Sequence, residues 1–394
     1  MMKTKRKKNH RYLLNVSLFI TIILTSILFV MSTYSKHTES LSFTKPNNNT
    51  IEIRSIDDQI FFPLGFYYSS FYDAKHRMKA LREIAAVGFN TMFVFWKNLD
   101  DYETFLDEAQ KLGIHIITEL KRNDLTIVDQ FKNKSAIFAW GIADDAGDHQ
   151  SSNELLAWHK AVKATDPKHY TYISVSNWSK KWADYAHVAD LIGGQSYPIG
   201  YPFNNRPKNI PNHLSEVNYV FNIANNEASK HNRPVIANLQ TFKWKGQRWP
   251  TAKEVYNMTY QALLAGVKGI IFYTYDNPAS RLRENPDLWN MVKSLAPEIK
   301  KLSPVLLKGN FTPLKTKFQD VLAGQWTYGD RNYVVVLNTS DSKTKLLSLS
   351  IPTKGKFRAT PLFSDRPSGM IYKNGELYGE IKPEDVHIYQ LLKI

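Results

Sequence analysis

The chain contains no cysteine among its 394 residues. This absence excludes cysteine nucleophiles, thiolate zinc sites, iron–sulfur clusters and disulfide frameworks. Two other signatures are also missing, the Gly-x-Ser-x-Gly turn of serine hydrolases and the His-Glu-x-x-His helix of metalloproteases. The histidines, such as His115 and His159, lack ligand spacing. We therefore expect neither a metal nor a cofactor.

Acidic residues are absent before Glu39, whereas six basic residues precede Tyr12. Tyr12–Ser35 then runs for 24 residues without a charge, which is long enough to cross a bilayer. We predict an uncleaved single-pass transmembrane helix with its basic end in the cytoplasm and the rest of the chain outside. The alternative is a cleaved signal peptide and a secreted protein, with Thr33–Ser35 as the cleavage site.

The remaining positive charge is spread along the chain. Without the six N-terminal cations, 45 basic residues stand against 36 acidic ones, and later basic runs are pairs such as Lys180–Lys181. No aromatic stacking pattern accompanies these pairs, so we expect no nucleic-acid partner. The hydrophobic fraction of 43% and the charged fraction of 22% are typical of a folded globular protein.

From Phe61 onward, short β-rich runs alternate eight times with segments of helical spacing. The runs are nearly continuous in apolar residues, which is typical of strands buried on both faces. The candidate strands are Phe61–Tyr68, Asn90–Trp96, Ile114–Leu120, Ile137–Asp145, Tyr170–Ser176, Leu191–Ile199, Pro234–Phe242 and Gly269–Tyr275. Eight such units predict a closed (β/α)8 TIM barrel. An open doubly wound sheet is the alternative, but no Gly-rich phosphate turn follows the first strand.

The pattern changes after the last helical segment of the barrel. Short strand-like runs separated by turn residues follow, and they predict a small antiparallel β domain with its own core. The predicted organisation is a basic tail and transmembrane segment over 1–35, a linker over 36–58, the barrel over 59–309 and the β module over 310–394.

Consecutive carboxylates end the fourth candidate strand, at Asp144 and Asp145. The C-terminal ends of barrel strands form the active site in enzymes of this fold. Like charges so close together raise one pKa and keep a proton available near neutral pH, as the general acid of glycosidic cleavage requires. A helix cap and a cation site completed by Asp148 are the alternatives.

Aromatic and amide side chains follow the same strand ends. Sugar rings stack on Trp and Tyr, and sugar hydroxyls pair with Asn and Gln. Substrate binding is therefore predicted for Tyr67, Trp96, Asn177, Trp178, Gln195, Tyr197, Gln240, Trp244, Tyr273 and Tyr275. For each aromatic residue, packing in the core is the alternative.

Several sequence motifs are distributed along the predicted barrel. WGIADD at Trp140–Asp145 has the form Trp-x-x-x-Asp-(Glu/Asp), and RWPTAKE at Arg248–Glu254 precedes ALLAGVKGIIFY at Ala262–Tyr273. Asp166–Pro167 and Ser196–Pro198 complete the set. Together they resemble the motifs of bacterial (β/α)8 glycoside-hydrolase-like proteins with a C-terminal β-sandwich module. The resemblance covers residues 61–305 and implies hydrolysis of glycosidic bonds.

The end of strand seven departs from this resemblance. Retaining glycosidases of the large barrel clan carry a nucleophilic Glu there, whereas this chain has NLQTF at Asn238–Phe242. Glu119 or Asp276 could supply the second carboxylate, as nucleophile or as base. Alternatively, the aspartate pair resembles that of barrel hexosaminidases, in which the substrate acetamide is the nucleophile. Tyr197 or Tyr275 could then help to hold the acetamide.

The sequence thus predicts a glycosidase that acts on an extracytoplasmic poly- or oligosaccharide, with Asp145 as general acid. Asp144, Glu119 and Asp276 complete the catalytic candidates. The expected partners are the carbohydrate and, through the N-terminal helix, the membrane. A non-catalytic carbohydrate-binding barrel and a structural protein of the cell surface are the competing hypotheses.

Overall fold

A computed structural model describes residues 51–69, 74–96, 101–176, 182–201, 210–353 and 355–394. Within them, eight parallel strands form a closed barrel in which each strand pairs with the next and the first pairs with the eighth. The strands are β1 Leu64–Tyr68, β2 Thr91–Phe95, β3 His115–Glu119, β4 Ile137–Ala146, β5 Tyr170–Val175, β6 Leu191–Ser196, β7 Val235–Gln240 and β8 Gly269–Asn277. The prediction of a (β/α)8 barrel is confirmed.

Helices follow the barrel strands. They are α1 Ala74–Ala86, α2 Tyr102–Leu112, α3 Thr126–Phe131, α4 Ser152–Thr165, α5 Trp182–Tyr185, α6 Glu216–Ser229, α7 Ala252–Leu264 and α8 Pro286–Lys308. Capping boxes start two of them, with Ser151 before α4 and Thr251 before α7. Each box satisfies backbone N–H groups that the first helical turn leaves without partners.

The interior of the barrel is packed rather than hollow. Its apolar residues include Tyr67, Phe93, Tyr172 and Ile236, which come from four different strands. Ile53, which precedes the first strand, is fully buried in the same cluster. Because this segment covers the N-terminal end of the barrel, the opposite end, where the strands terminate, is the one that can receive a ligand.

Antiparallel sheets follow the barrel, as predicted. The short β9 (Ser280–Arg281) pairs with β8. A five-stranded sheet has the order β10-β11-β12-β17-β14, and a three-stranded sheet has the order β13-β16-β15. Their bounds are β10 Asn310–Pro313, β11 Val321–Tyr328, β12 Arg331–Asn338, β13 Lys345–Ser350, β14 Phe357–Pro361, β15 Ile371–Lys373, β16 Glu376–Ile381 and β17 Val386–Lys393.

The two sheets enclose a core of their own, which includes Val334 and Val336 from one sheet and Leu349 and Leu377 from the other. The opposite face of the larger sheet packs against the barrel. Its Trp326, with neighbouring apolar residues of β12 and β17, joins the apolar cluster of the outer barrel layer. The predicted separate core therefore accounts for one face of the module, and the other face shares the core of the barrel.

A buried ion pair also joins the two parts. Arg366 donates through Nε to Glu298 of α8 at 2.5 Å and lies 4.5 Å above the ring of Tyr256. Tyr256 and Tyr260 of α7 each donate a hydrogen bond of 3.0 Å to the same carboxylate. The module is thus attached to α7 and α8 through both apolar and ionic contacts.

In the described part of the chain, no helix has the length and apolarity needed to span a membrane. The predicted transmembrane segment Tyr12–Ser35 and linker residues 36–50 lie outside the described residues.

Candidate active site

The fourth barrel strand is irregular where its carboxylates lie. Its pairing with β5 shifts register between Gly141 and Ala143 and again between Ala143 and Ala146. Asp145 has a φ of 49°, in the left-handed region that residues other than glycine rarely occupy. Bulges re-aim side chains, and such strained residues cluster at functional sites. Neighbouring aspartates, which a regular strand would point to opposite faces, therefore reach one common partner.

That partner is Gln195 at the end of β6. Its side-chain nitrogen donates to Asp145 Oδ1 at 2.7 Å and lies 3.4 Å from Asp144 Oδ1. The same nitrogen donates to Ser174 Oγ at 3.0 Å. An amide nitrogen carries two hydrogens, and the contacts to Asp145 and Ser174 use both. Gln195 thus holds Asp145 directly and lies beside Asp144.

A third carboxylate, Glu119 at the end of β3, completes what we call the carboxylate cluster of Glu119, Asp144 and Asp145. Burial and the charge of Asp145 raise the pKa of Glu119 to about 7. Burial, followed by the charges of Asp145 and Glu119, raises the pKa of Asp144 well above the usual range of an aspartate. Since like charges in a buried site oppose joint ionisation, the cluster retains a proton near neutral pH.

Tyrosine side chains surround Asp144. These tyrosines are Tyr67, Tyr172, Tyr197 and Tyr273. Burial raises the pKa of each hydroxyl above its ordinary value of 10, and the charge of Asp144 raises each pKa further. They belong to β1, β5, the segment after β6, and β8. Neutral phenols from across the barrel thus face the aspartate at the mouth.

Beneath the cluster lies a polar network that sequence reasoning missed. Asn238 of β7 donates to Ser174 Oγ at 2.9 Å and to the Tyr67 hydroxyl at 3.2 Å. Its carbonyl oxygen accepts from the Tyr172 hydroxyl at 3.0 Å. Asn238 and Ser174 are both fully buried. One signal was available in the sequence: each is a polar residue inside an apolar strand, and such a residue needs a hydrogen-bond partner when buried.

Aromatic rings form one wall of the mouth. Trp244 packs with its ring centroid 4.9 Å from that of Phe242 and 5.5 Å from that of Tyr201. Its indole N–H donates to the backbone oxygen of Tyr197 at 3.2 Å, which fixes the ring. Trp244 and Tyr273 are partly exposed, so each has surface available for a sugar ring.

Two predicted sugar-binding aromatics lie elsewhere. Trp96 is buried in the outer apolar layer, with Arg77 positioned 4.2 Å above its ring. Tyr275 is fully buried in the same layer, and its hydroxyl donates to Glu83 of α1. Consecutive residues of a strand alternate between the interior and the helix layer, and these two face the helices. The prediction that they bind substrate is therefore corrected to a packing role.

Gln240 and Asp276 also differ from their predicted roles. The Gln240 amide is fully buried, donates to the backbone oxygens of Ile199 and Phe242, and accepts from the Ile199 N–H. It fixes the loops after β6 and β7 rather than meeting a substrate. The buried Asp276 carboxylate lies 3.9 Å from the guanidinium groups of Arg281 and Arg283. Its charge is balanced there, which makes Glu119 the better candidate for the second carboxylate.

The remaining predicted residues divide as follows. Asn177 and Trp178 lie outside the described residues. The hydroxyl of Tyr67 is hydrogen-bonded to that of Tyr172 within the buried network. The ring of Tyr197 packs against Phe242 in the aromatic wall. Among the residues that the structure describes, no group of three or more His, Cys, Asp or Glu side chains is arranged to hold a metal ion.

Comparison with known proteins finds similarity in structure only. No protein-family model matches the sequence, and no curated protein matches it significantly. A solved structure described as a glycoside hydrolase has a TM-score of 0.61 and 15% identity, covering 89% of this chain and 97% of its own. The α-amylase of Geobacillus thermoleovorans, solved with acarbose, has a TM-score of 0.58 and 14% identity, with coverages of 84% and 98%.

A GH30 endoxylanase from Clostridium papyrosolvens has a TM-score of 0.50 and 10% identity, covering 84% of this chain and 96% of its own. At these identities the likeness concerns the fold. The chain has the architecture of glycoside hydrolases that combine a closed (β/α)8 barrel with a β domain.

Proposed function

We propose that this protein is a glycoside hydrolase that acts on an extracytoplasmic poly- or oligosaccharide, with an aspartic acid at the end of β4 as general acid. The carboxylate cluster carries this proposal, because it gathers three carboxyl groups at the mouth of the barrel, and the raised pKa values of Glu119 and Asp144 keep a proton there near neutral pH. The partly exposed Trp244 and Tyr273 support it as sugar-stacking surfaces. The shared fold of an α-amylase and a xylanase is consistent with it.

The two aspartates differ in what surrounds them. Asp145 accepts a hydrogen bond of 2.7 Å from the Gln195 amide. Burial and two neighbouring carboxylates favour the protonated form of Asp144. A carboxyl group whose surroundings raise its pKa is the one suited to act as the general acid of a glycosidase. We infer that Asp144 holds the proton in the resting enzyme, although the sequence motif favours Asp145 as the acid.

A matched set of variants tests the assignment. Asp144→Asn and Asp145→Asn keep the side-chain size, and Asp330→Asn, at a turn of the β module where the carboxylate is 96% exposed, is the control. If Asp144 is the acid, its loss lowers turnover on natural linkages on the order of 10²- to 10⁴-fold. Aryl glycosides with good leaving groups need little acid assistance, so they should restore most of the rate of this variant only. Restoration in Asp145→Asn instead would assign the acid to Asp145.

The acetamide-assisted route makes a different prediction. In that route one aspartate orients the substrate acetamide and only 2-acetamido glycosides are hydrolysed. Comparing aryl glycosides with and without this group therefore separates assisted from unassisted hydrolysis. Proton NMR of the first-formed anomer then distinguishes retention from inversion.

A carbohydrate-binding barrel without hydrolysis is the second candidate, and Gln240 favours it. This amide stands at the end of β7, where retaining glycosidases carry the nucleophile, and the main chain holds it in place. Binding of glycans by the wild type without hydrolysis, unchanged in both aspartate variants, would select this candidate.

The extracytoplasmic location rests on the uncharged segment Tyr12–Ser35 and the basic residues before it. We propose that this segment anchors the protein in the membrane with the barrel outside. Mass measurement of the mature N-terminus tests the anchor. A new terminus near Lys36 would instead indicate a secreted protein.

A further inference from the structure

The loop after β7 carries exposed positive charge at the mouth of the barrel. Its segment Lys243–Trp249 reads KWKGQRW, in which three cations are interleaved with two tryptophans and no residue is acidic. Lys243, Lys245 and Arg248 are all exposed. Arg248 is paired with Glu254 of α7 at 2.5 Å. Neither lysine forms an ion pair with any residue that the structure describes, so two positive charges of this loop are not balanced.

Hydrogen bonds fix the conformation of this loop. The Gln247 N–H donates to the backbone oxygen of Trp244 at 2.9 Å, which closes a tight turn with Lys245 at its corner. Gly246 follows with a φ of 76°, in the left-handed region that the third position of a type II turn requires. The indole of Trp244 is bonded to the backbone after β6. The backbone that carries Lys245 therefore has a defined place beside the aromatic wall.

The Lys243 ammonium lies above an aromatic ring. Its Nζ is 5.7 Å from the ring centroid of Trp249, and its backbone N–H donates to Ser280 Oγ at 3.4 Å. A cation–π contact at an exposed site is weak and leaves the three N–H donors of the ammonium able to bind an anion. Trp244, the ring with surface available for a sugar, thus has an exposed lysine on each side of it in the chain.

Ion pairs balance other cations at the strand ends. The two arginines after β8, Arg281 and Arg283, lie 3.2–3.9 Å from carboxylates. Arg122 after β3 is paired with Glu154 at 2.7 Å. Positive charge without a carboxylate partner is therefore a property of the β7 loop and not of every loop that the structure describes at the mouth.

The β7 loop lies across the mouth from the carboxylate cluster. The strands follow one another around the closed barrel, so β7 is four strands away from β3, which carries Glu119. A glycan that crosses the mouth meets carboxyl groups on one side and ammonium groups on the other. Coulomb forces repel a negative substituent from the first side and attract it to the second.

We propose that the substrate is an acidic polysaccharide, whose negatively charged substituents bind Lys243 and Lys245 while a sugar ring stacks on Trp244. The inference names the substrate class of the proposed glycosidase. Hydrolysis of that substrate rests on the proposed function, whereas its binding does not. Charge complementarity also orients the chain, because it places a charged substituent at β7 and leaves a neighbouring linkage on the side of β3 and β4.

A pair of double variants tests the two lysines. Lys243→Gln with Lys245→Gln removes their charges, and Lys300→Gln with Lys308→Gln is the matched control. Lys300 and Lys308 are exposed residues of α8 and line a cavity together with Leu64, the first residue of β1, at the opposite end of the barrel. Both double variants lower the net charge equally. Their comparison therefore cancels the general attraction of polyanions to a chain of net charge +15.

Two pairs of polysaccharides isolate the substituent. Polygalacturonate and its carboxyl-reduced form differ only in the carboxylate that reduction converts to an alcohol, and dextran sulfate and dextran make the same comparison for sulfate. In calorimetry the wild type should bind the charged member of a pair more tightly. Loss of Lys243 and Lys245 should weaken that binding about tenfold relative to the control variant, as two exposed ion pairs allow. The pair that shows this loss distinguishes a carboxylate from a sulfate substrate.

The outcomes separate this inference from the proposed function. Binding that depends on the two lysines without hydrolysis would support the acidic ligand and refute only the enzyme. Equal affinities of the two double variants for both charged polysaccharides, or no binding of either, would overturn the inference even if neutral glycans are hydrolysed. Tighter binding of oligothymidylate, lost in Lys243→Gln with Lys245→Gln, would also overturn it and would indicate a nucleic-acid ligand.

Discussion

Glu119→Gln should stabilise the folded protein at neutral and alkaline pH. The carboxyl lies at the end of β3, where burial and Asp145 raise its pKa from the ordinary 4.5 to about 7. In the unfolded chain the group loses its proton above about pH 4.3, whereas in the folded protein it keeps the proton up to about pH 7. The unfolded state thus binds fewer protons across this interval, so wild-type stability falls as the pH rises through it.

The magnitude follows from the size of the pKa change. At 1.36 kcal/mol per pH unit the full change is worth about 3 kcal/mol, and the partial exposure of the side chain reduces it to about 2 kcal/mol. Glutamine has nearly the same shape and does not ionise. The free energy of unfolding of the variant therefore does not fall with rising pH on account of this side chain. Its advantage over the wild type should be near zero at pH 4.5 and about 2 kcal/mol at pH 8.

Urea unfolding at these two pH values measures the difference directly. Glu380→Gln, on the exposed face of β16, is the control and should show no pH-dependent gain. An advantage of Glu119→Gln that does not grow between pH 4.5 and pH 8 would refute the reasoning. Either outcome is independent of the substrate. The same variant should also have lower glycosidase activity if Glu119 acts as the second carboxylate.

Three other predictions concern packing and binding. Arg366→Met should cost about 3–5 kcal/mol in urea unfolding, because it leaves the buried Glu298 without its cation. Trp244→Ala should weaken binding of oligosaccharides about tenfold in calorimetry and cost less stability than Trp96→Ala, because Trp244 is partly exposed. Trp96→Ala should cost about 3–5 kcal/mol of stability. A fragment limited to residues 51–308 should be insoluble or aggregate on expression, since it exposes the apolar surface that the β module covers; a soluble, folded fragment would contradict the shared core.

The sequence determined the architecture and the position of the aspartate pair. Eight apolar runs separated by helical segments permit few arrangements other than a closed parallel barrel, because buried parallel strands need helices on the outside. Once the barrel was predicted, the C-terminal ends of its strands located the site, and WGIADD placed two carboxylates there. The barrel follows from local periodicity and the aspartate pair from a short motif, so both could be predicted from the sequence alone.

Only the tertiary structure decided which side chains face the site. In a parallel strand both faces are buried and apolar, so the sequence does not reveal which alternate residues point into the barrel. Trp96 and Tyr275 were assigned to the mouth for that reason, yet they pack against the helices. Ser174 and Asn238 were overlooked because their partners come from strands distant in sequence. The bulges of β4 and the contacts that cross the barrel exist only once the sheet has closed, and they determine how the carboxylates share their proton.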